Sequence, residues 1–322
     1  MKCPGRLMAL ALSVISMAAA PAARADNYPA KPIRLIVGYA AGGAVDIVSR
    51  IIGDKLSERL GQRVFIENRP GGGTTIALGA LAKSEPDGYT LMMADIAMGA
   101  NPALHATLPY DTFKDFEPIA LVAVLPGVMA VDRKLPVKDV ASFVALAKAA
   151  PGKLNYATSG LGSLGHLGPE LFKAETKTDI VGIPYQSGGQ VMQALLGGNV
   201  EMAFTTVPPV LPFAEKVRIL AISHDKRLPV MPDVPTFAES GLPHIRVELW
   251  EGLFAPRGTD KKIQARLNTE VNAILQMPDV RERIAKLGGD VAGGTPDQLR
   301  DFLKAEVEKW LRVLPASLRE RK

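Results

Sequence analysis

The sequence predicts an α/β protein, because short apolar strands alternate with amphipathic helices along most of the chain. Ile33–Val37 is a β-branched run, and the segment after it places apolar residues on one helix face from Val45 to Leu60. The 322 residues are 47% apolar and 22% charged, which is typical of a globular protein and long enough for two domains. Alternation of this kind indicates parallel sheets with helices on both faces.

Residues 1–25 are predicted to be a secretory signal peptide. Lys2 and Arg6 precede an uncharged apolar run over residues 7–20, and Ala23-Arg24-Ala25 supplies the small residues of a cleavage site. The apolar run is shorter than the roughly 20 residues that a membrane-spanning helix needs. We therefore expect cleavage after Ala25 and export of the remaining chain.

Cysteine content and charge exclude several classes of function in the exported chain. Cys3 is the only cysteine and lies in the predicted signal peptide, which excludes disulfides, cysteine nucleophiles and cysteine-based metal sites. The formal net charge is +5, but three positive charges lie in the signal peptide and the tail over residues 319–322 adds a net two. Because the body between them is close to neutral, we expect no binding to nucleic acid.

The remaining elements follow the same pattern. Residues 119–131, interrupted by Pro126-Gly127, are interpreted as a pair of strands near a lobe boundary, and residues 228–243, rich in proline, as an extended connection. Helices are predicted at residues 76–83, 139–149, 163–177 and 189–196. Further strands are predicted at residues 64–66, 90–94, 154–157, 180–182, 202–205, 217–223 and 247–255.

The last helix is predicted from a capping box. Thr295 and Gln298 are three residues apart, and Pro296 occupies the first helical position. Trp310 is interpreted as core packing, and Pro315 as the residue that ends the helix. The apolar stripe consists of Leu299, Phe302, Leu303, Val307, Trp310, Leu311 and Leu314.

Two glycine-rich turns, over residues 39–46 and 156–166, each follow a predicted strand and open a helix. Glycines let the backbone approach a ligand, and the unpaired N–H groups of a first helical turn favour negative charge. Ligands of open α/β sheets lie beyond the carboxyl ends of the strands. Either turn alone could be a simple connection, but the pair favours a site for a small anion.

Asp46 lies in the first turn of the helix that follows the first glycine-rich turn. The helix dipole favours an acid at this position. The same side chain could instead orient the loop at Gly42 and Gly43 or contact a cationic group of a ligand, and the sequence leaves these roles open.

The second turn also matches a dinucleotide-binding pattern. Gly160, Gly162 and Gly165 have the G-x-G-x-x-G spacing. That fingerprint requires an acid at the end of the next strand, whereas Asp179 precedes the predicted strand. The position of this acid argues against a nucleotide.

Ser163 and His166 could form the catalytic pair of an exported hydrolase or esterase, which is the alternative function. The G-x-S-x-G pattern is not met, because Leu161 occupies the first glycine position. His166 and Glu170 are four residues apart on one helix face, a spacing that favours a structural hydrogen bond over a metal site. The other histidines are isolated, so neither a metal nor another cofactor is expected.

With these turns, a series of short motifs resembles the Bug (TctC-like) family, the extracytoplasmic solute receptors of tripartite tricarboxylate transporters. The resemblance follows the whole exported chain in order. Its motifs are residues 28–33, 39–46, 67–71, 86–91, 101–104, 108–111, 162–163, 166–167, 183–185, 195–198, 232–236 and 250–252.

The resemblance implies a two-lobed periplasmic-binding-protein fold of type II-like architecture, each lobe a mixed, mostly parallel sheet flanked by helices. Residues 26–125 and 228–322 would form lobe 1, and residues 126–227 lobe 2. It also implies a periplasmic, monomeric protein without enzymatic activity. Such a protein captures a small organic carboxylate or dicarboxylate in the cleft between its lobes for a two-component membrane permease.

The predicted ligand-binding residues come from both turns and from the ends of other strands. In this family the ligand carboxylate is typically held through backbone groups and ordered water, which fits turns without Arg or Lys. The first turn contributes Tyr39, Ala41, Gly42, Gly43 and Asp46, and the second contributes Thr158, Ser159, Gly160, Gly162, Ser163 and His166. Asp95, Tyr185 and Thr205 complete the set.

Several of these positions depart from the family pattern. Ala41 and Val45 replace the usual Pro and Thr of the first turn, and Asp95 stands where small polar residues are usual. Asp95 is expected near the cleft mouth. There it either pairs with a cationic or hydroxyl group of the ligand or is simply solvated.

Overall fold

The predicted alternation of strands and helices is present in a computed structural model, which describes residues 28–185 and 187–314. The predicted signal peptide, its cleavage site and Pro315 lie outside the described residues. None of the described helices has the length and apolar character required to cross a membrane.

The first half of the chain contains two βα series separated by a long strand. Its elements are β1 (Ile33–Val37), α1 (Ala44–Leu60), β2 (Val64–Asn68), α2 (Thr75–Ala82), β3 (Thr90–Asp95), α3 (Ile96–Leu104), β4 (Phe116–Asp132), α4 (Val140–Ala149), β5 (Leu154–Thr158) and α5 (Leu164–Thr176).

The second half completes both series. Its elements are β6 (Ile180–Pro184), α6 (Gly188–Gly197), β7 (Met202–Thr205), α7 (Val207–Val210), β8 (Val217–Ser223), β9 (Glu248–Pro256), α8 (Lys261–Leu275), α9 (Pro278–Lys286), β10 (Asp290–Gly293) and α10 (Pro296–Val313).

Two sheets share one long strand, β4. The first has the order β2-β1-β3-β9-β4, with β1 parallel to β2 and β3, and with β9 antiparallel to β3 and β4. The second contains β5, β6 and β7, parallel to one another, and β7 and β8 run antiparallel to β4. The short β10 also pairs with the first part of β4. Mixed sheets flanked by helices are therefore confirmed, with parallel pairing among β1–β3 and among β5–β7 and antiparallel pairing at β4 and β9.

The interpretation of residues 119–131 as a pair of strands is wrong, because β4 runs without a break through Pro126 and Gly127. Partners change at this point: Pro126 is the last residue paired with β9, and Gly127 is the first paired with β8. A Cβ on Gly127 would lie 2.7 Å from the Val247 carbonyl oxygen. Glycine therefore permits the close approach of backbones where β4 passes from one sheet to the other.

The C-terminal helix α10 begins with the predicted capping box and packs against α3 and β4. Thr295 caps α10 in a capping box with Gln298, and the Trp310 indole is buried. The indole N–H groups of Trp310 and Trp250 both donate to Glu306, at 3.2 and 3.1 Å. Leu311 is 47% exposed and does not belong to the apolar stripe. Its position one residue after Trp310 rotates it by about 100° around the helix and toward solvent.

Candidate functional site

The first glycine-rich turn joins the carboxyl end of β1 to the N-terminus of α1. Ala41, Gly42 and Gly43 are exposed, and Gly42 has a φ of +90°, in the region that favours glycine. Gly43 is the N-cap of α1 and makes no side-chain capping bond. The turn therefore presents backbone, and not side chains, at the start of a helix, where negative charge is favoured.

Asp46 holds this turn in place. Its Oδ2 accepts from Gly42 N and Arg50 Nε, both at 2.9 Å. Its Oδ1 accepts from Arg50 Nη2 at 3.0 Å and from Asn68 Nδ2 at 2.9 Å. Burial alone would raise the pKa of Asp46, but the bonds from Arg50, Gly42 and Asn68 hold that pKa below its usual value. Of the roles left open by the sequence, the structure supports orientation of the loop.

The second glycine-rich turn joins β5 to α5 and is tied together by hydroxyl groups. Ser163 Oγ donates to the Gly160 carbonyl at 2.7 Å and lies 3.2 Å from Thr158 Oγ1. Gly160 N donates back to Thr158 Oγ1 at 3.2 Å. Gly160 and Gly162 have φ values of +117° and +76°. Ser159 and Gly160 are half-buried, whereas Thr158 and Ser163 are buried.

Ser163 and His166 face different partners. The Ser163 hydroxyl is bonded to Gly160, whereas His166 Nδ1 accepts from Gly162 N at 3.4 Å. Burial lowers the pKa of His166. In the part of the chain that the structure describes, the two side chains therefore do not form the hydrogen bond that a serine nucleophile and its base require.

The expected hydrogen bond between His166 and Glu170 is also absent among the described residues. Glu170 accepts from the Tyr156 hydroxyl at 2.8 Å and from Lys173 Nζ at 2.7 Å. Lys173 is three residues from Glu170 on the same helix, whereas the fold brings Tyr156 of β5 against that helix. Within residues 28–185 and 187–314, no three potential metal-ligating side chains are grouped closely enough to hold a metal ion.

The remaining predicted residues of the second sheet lie near the same edge. Tyr185 follows β6, and its N–H donates to the Thr158 carbonyl at 2.8 Å. Thr205 ends β7 and pairs in register with Val128 of β4. Both are half-buried. The predicted site residues thus lie at or just beyond the carboxyl ends of β1, β3, β5, β6 and β7.

The second turn packs directly against the first sheet's connections. A Cβ on Gly73 would lie 2.7 Å from the Leu161 carbonyl oxygen. A Cβ on Gly162 would lie 3.5 Å from side-chain atoms of Ala97 and Asn101. The loops at the carboxyl ends of the two sheets therefore meet.

Asp95 is buried, which excludes simple solvation, one of the two alternatives that the sequence left open. It is 1% exposed, since it lies at the end of the central strand β3. The Tyr39 hydroxyl donates to Asp95 Oδ2 at 2.7 Å, and Ala97 N donates to Oδ1 at 3.3 Å. Burial raises the pKa of Asp95 to about 7, although both hydrogen bonds act in the opposite direction.

Glu251 is a second buried acid at this edge, and it is not among the ligand-binding residues predicted from the sequence. It pairs in register with Asp95 across β3 and β9 and is 0% exposed. Neither of its carboxylate oxygens has a hydrogen-bond partner among the described residues. Burial and then the Asp95 charge raise the pKa of Glu251 well above its usual value. In the sequence, Glu251 could have been noticed as the one acid within the otherwise apolar run 249–255.

Comparison with known proteins agrees with this architecture. The profile of the tripartite tricarboxylate transporter family receptor matches residues 48–317. BugT of Bordetella pertussis is 38% identical over 296 residues, covering 90% of each chain. A solved R. palustris protein with adipate is 34% identical with a TM-score of 0.84, covering 90% of this chain and 98% of its own. MatC from Rhodopseudomonas palustris, with bound malate, is 35% identical with a TM-score of 0.83, covering 89% and 100%.

These matches extend over nearly the whole described chain and include solved structures of the same two-lobed periplasmic-binding-protein fold. The residues matched by the family profile include the second glycine-rich turn. The relatives are receptors and not enzymes, in agreement with the separate partners of Ser163 and His166. The chain is a member of the tripartite tricarboxylate transporter receptor family.

Proposed function

We propose that this protein is a periplasmic receptor that captures a small organic carboxylate between two lobes and delivers it to a two-component membrane permease. The observation that carries the proposal is that each sheet has a glycine-rich turn leading into a helix N-terminus, and that the loops of the two sheets meet where Gly73 approaches Leu161. Backbone N–H groups and helix N-termini bind carboxylates without a basic side chain. The relatives with adipate and malate support the same class of ligand.

The proposed lobes are residues 26–125 with 228–322 and residues 126–227. The change of partners along β4 at Pro126 and Gly127 supports the first boundary. The passage from β8 in the second sheet to β9 in the first supports the second. Two crossings close together would act as a hinge, so that the lobes separate to admit ligand and close around it.

The proposed ligand contacts are the residues predicted from the sequence. Gly42, Gly43 and the start of α1 would face the ligand from one side, and Ser159, Gly160 and the start of α5 from the other. Asp46 would act by holding the first turn, because its oxygens already accept bonds from the chain. We also propose that the receptor is a monomer without a cofactor.

Export through the predicted signal peptide belongs to the same proposal. Mass spectrometry of protein recovered from the periplasm should give the mass of a chain that begins at Asp26. A chain that retains residues 1–25 would contradict the cleavage site. Light scattering of the same sample should give the mass of one chain.

A thermal-shift and calorimetric screen tests the function. Succinate, malate, glutarate and adipate are the probes, and native mass spectrometry first identifies any co-purified acid. A ligand at 100 times its Kd should stabilise the protein by about 2.7 kcal/mol. Ser163→Ala should retain a fold and show no change in the hydrolysis of p-nitrophenyl esters. Failure of every carboxylate to bind, or ester hydrolysis lost with Ser163, would contradict the receptor function.

A further inference from the structure

We propose that the ligand of this receptor carries a positively charged amino group as well as a carboxylate, and that Glu251 and Asp95 bind that amino group. This inference rests on the proposed receptor function. It adds a substrate class, an amino carboxylate, to the carboxylate that the two turns would bind.

The geometry places both acids at the ligand-facing edge of the first sheet. Asp95 ends β3, and Glu251 is its directly opposed partner on β9. Side chains of directly opposed residues lie on the same face of an antiparallel pair. Tyr39 connects this face to the first turn, since its hydroxyl donates to Asp95 Oδ2 at 2.7 Å. The acid pair thus lies immediately behind the turn that would hold the carboxylate.

The second turn lies over the same place. Asp95 caps α3 through Ala97 N, and the side chain of Ala97 would be 3.5 Å from a Cβ on Gly162. The acid pair is therefore buried where the two sheets' loops meet. Separation of the lobes would open this region to a ligand, and closure would bury the ligand against it.

Other buried acids in the described chain each have a basic partner. Asp46 is paired with Arg50, and Glu170 with Lys173. Glu270 is paired with Arg59 and Arg266, and Glu306 with Lys309. Burying a carboxylate is costly unless it is paired and hydrogen-bonded, which explains this pattern.

Asp95 and Glu251 differ from that group. Among the described residues, neither forms an ion pair with Lys, Arg or His. Tyr39 and Ala97 donate to Asp95, but both oxygens of Glu251 are buried without a donor. Buried polar groups of native proteins almost always have a partner, so the orphaned carboxyl requires one from outside the chain.

This site requires hydrogen-bond donors for Glu251 and a positive charge beside both acids, and an ammonium group provides both. It supplies the missing donors, and its positive charge compensates two neighbouring acids that have no cationic partner in the part of the chain that the structure describes. A second carboxylate at the same position would add negative charge beside two acids whose ionisation burial already opposes, whereas an ammonium group would offset that charge. The pair should therefore act as a specificity determinant that favours amino carboxylates over unsubstituted dicarboxylates.

Matched ligands provide the test. Succinate, malate and aspartate share one carbon skeleton and differ at C2 by hydrogen, hydroxyl and ammonium, and adipate and 2-aminoadipate form a longer pair. Calorimetry at pH 7.5 should show the amino member of a series binding at least ten-fold more tightly than its unsubstituted diacid. Glu251→Gln should weaken binding of the amino member at least ten-fold, and it should not weaken binding of the diacid, because a diacid has no ammonium group for the Glu251 carboxylate to bind.

Glu306→Gln is the matched control, because Glu306 is also buried but contacts Trp250 and Trp310 on the covered side of the sheet. Glu306→Gln should leave unchanged the ratio of the affinity for the amino carboxylate to the affinity for the matching diacid. Asp95→Asn provides a second variant of the site and should lower the same ratio.

The outcomes distinguish the inference from the function. The inference would be overturned, while the receptor function stands, if diacids bind as tightly as their amino counterparts. The same holds if Glu251→Gln leaves the ratio of the two affinities unaltered. Failure of every acid in both series to bind would overturn the receptor function, and the inference with it.

Discussion

The Tyr39 hydroxyl donates to Asp95 Oδ2 at 2.7 Å, which joins the first glycine-rich turn to the end of β3. The two residues are 56 positions apart in the chain. Through this bond the conformation of an exposed turn depends on a carboxyl buried in the sheet. Charge on Asp95 therefore affects both the stability of the fold and the shape of the turn.

The free energy of unfolding of Asp95→Asn should exceed that of the wild type by an amount that grows as pH rises from about 4 to 7. Burial raises the pKa of Asp95 from 3.8 to about 7. In this pH range the unfolded chain releases the proton that the folded chain retains, so wild-type stability falls as pH rises. Three pKa units correspond to at most about 4 kcal/mol at pH 7.

Urea denaturation at pH 4, 5.5 and 7 measures this difference. Asparagine can still cap α3 and accept from Tyr39, so the comparison isolates the charge. A difference in unfolding free energy that stays constant across the three pH values would show that Asp95 does not titrate in this range.

Asp46→Ala should destabilise the first turn. The change removes acceptors for Gly42 N, Arg50 and Asn68, and we expect a loss of about 1–3 kcal/mol in the free energy of unfolding. Because the pKa of Asp46 is below its usual value, its contribution is present above about pH 4 and is lost as pH falls further. Wild type and variant should therefore converge in stability in acid.

Asp54→Ala is the control for this change, since Asp54 is exposed on the same helix. It should alter the free energy of unfolding by less than about 0.5 kcal/mol. Equal effects of the two substitutions would mean that the Asp46 network does not stabilise the turn.

Gly73→Ala should weaken ligand binding by hindering contact between the two sheets' loops. The new Cβ would lie 2.7 Å from the Leu161 carbonyl oxygen, and Gly73 has a φ of +57°. We expect about a ten-fold loss of affinity and a larger radius of gyration by X-ray scattering.

Gly61→Ala separates backbone strain from this steric effect. Gly61 has a φ of +66°, but a Cβ there would have no heavy atom within 4 Å. Its replacement should lower stability by about 1–2 kcal/mol and leave the affinity unchanged. The same loss of affinity in both variants would exclude the proposed contact.

Gly43→Val should abolish ligand binding in a folded protein. Gly43 has an extended conformation, with φ of −80° and ψ of 170°, which valine adopts readily. The nearest atom to a Cβ is the Ala40 carbonyl oxygen at 3.9 Å, so the side chain fits. Its methyl groups would lie over the amides at the start of α1. Calorimetry should show at least a hundred-fold loss, and unaltered affinity would exclude this turn from the site.

Local pattern was sufficient to predict most elements of the fold. Ile33–Val37, Met202–Thr205 and Val217–Ser223 are strands with the predicted bounds, and Thr295 begins the last helix through its capping box. Strand and helix signals depend on neighbours a few residues apart, so they are legible in the sequence. Ligands of open α/β sheets lie beyond the carboxyl ends of the strands, which allowed both turns to be predicted as parts of a binding site.

Burial and strand pairing could not be derived in this way. Pro126-Gly127 has the composition of a break, yet β4 continues because Gly127 allows the Val247 backbone to approach. Ser163 and His166 are three residues apart, but contacts with Gly160 and Gly162 direct them to different partners.

The sequence by itself determined most of the strands and helices and the two backbone turns that would bind an anion. The tertiary structure alone decided the environment of the acids. Asp46 is charged beside Arg50, whereas Asp95 and Glu251 are buried side by side across β3 and β9 without a cation among residues 28–185 and 187–314. An acid's charge depends on its solvation and on partners brought from distant parts of the chain, and only the folded arrangement of strands determines both.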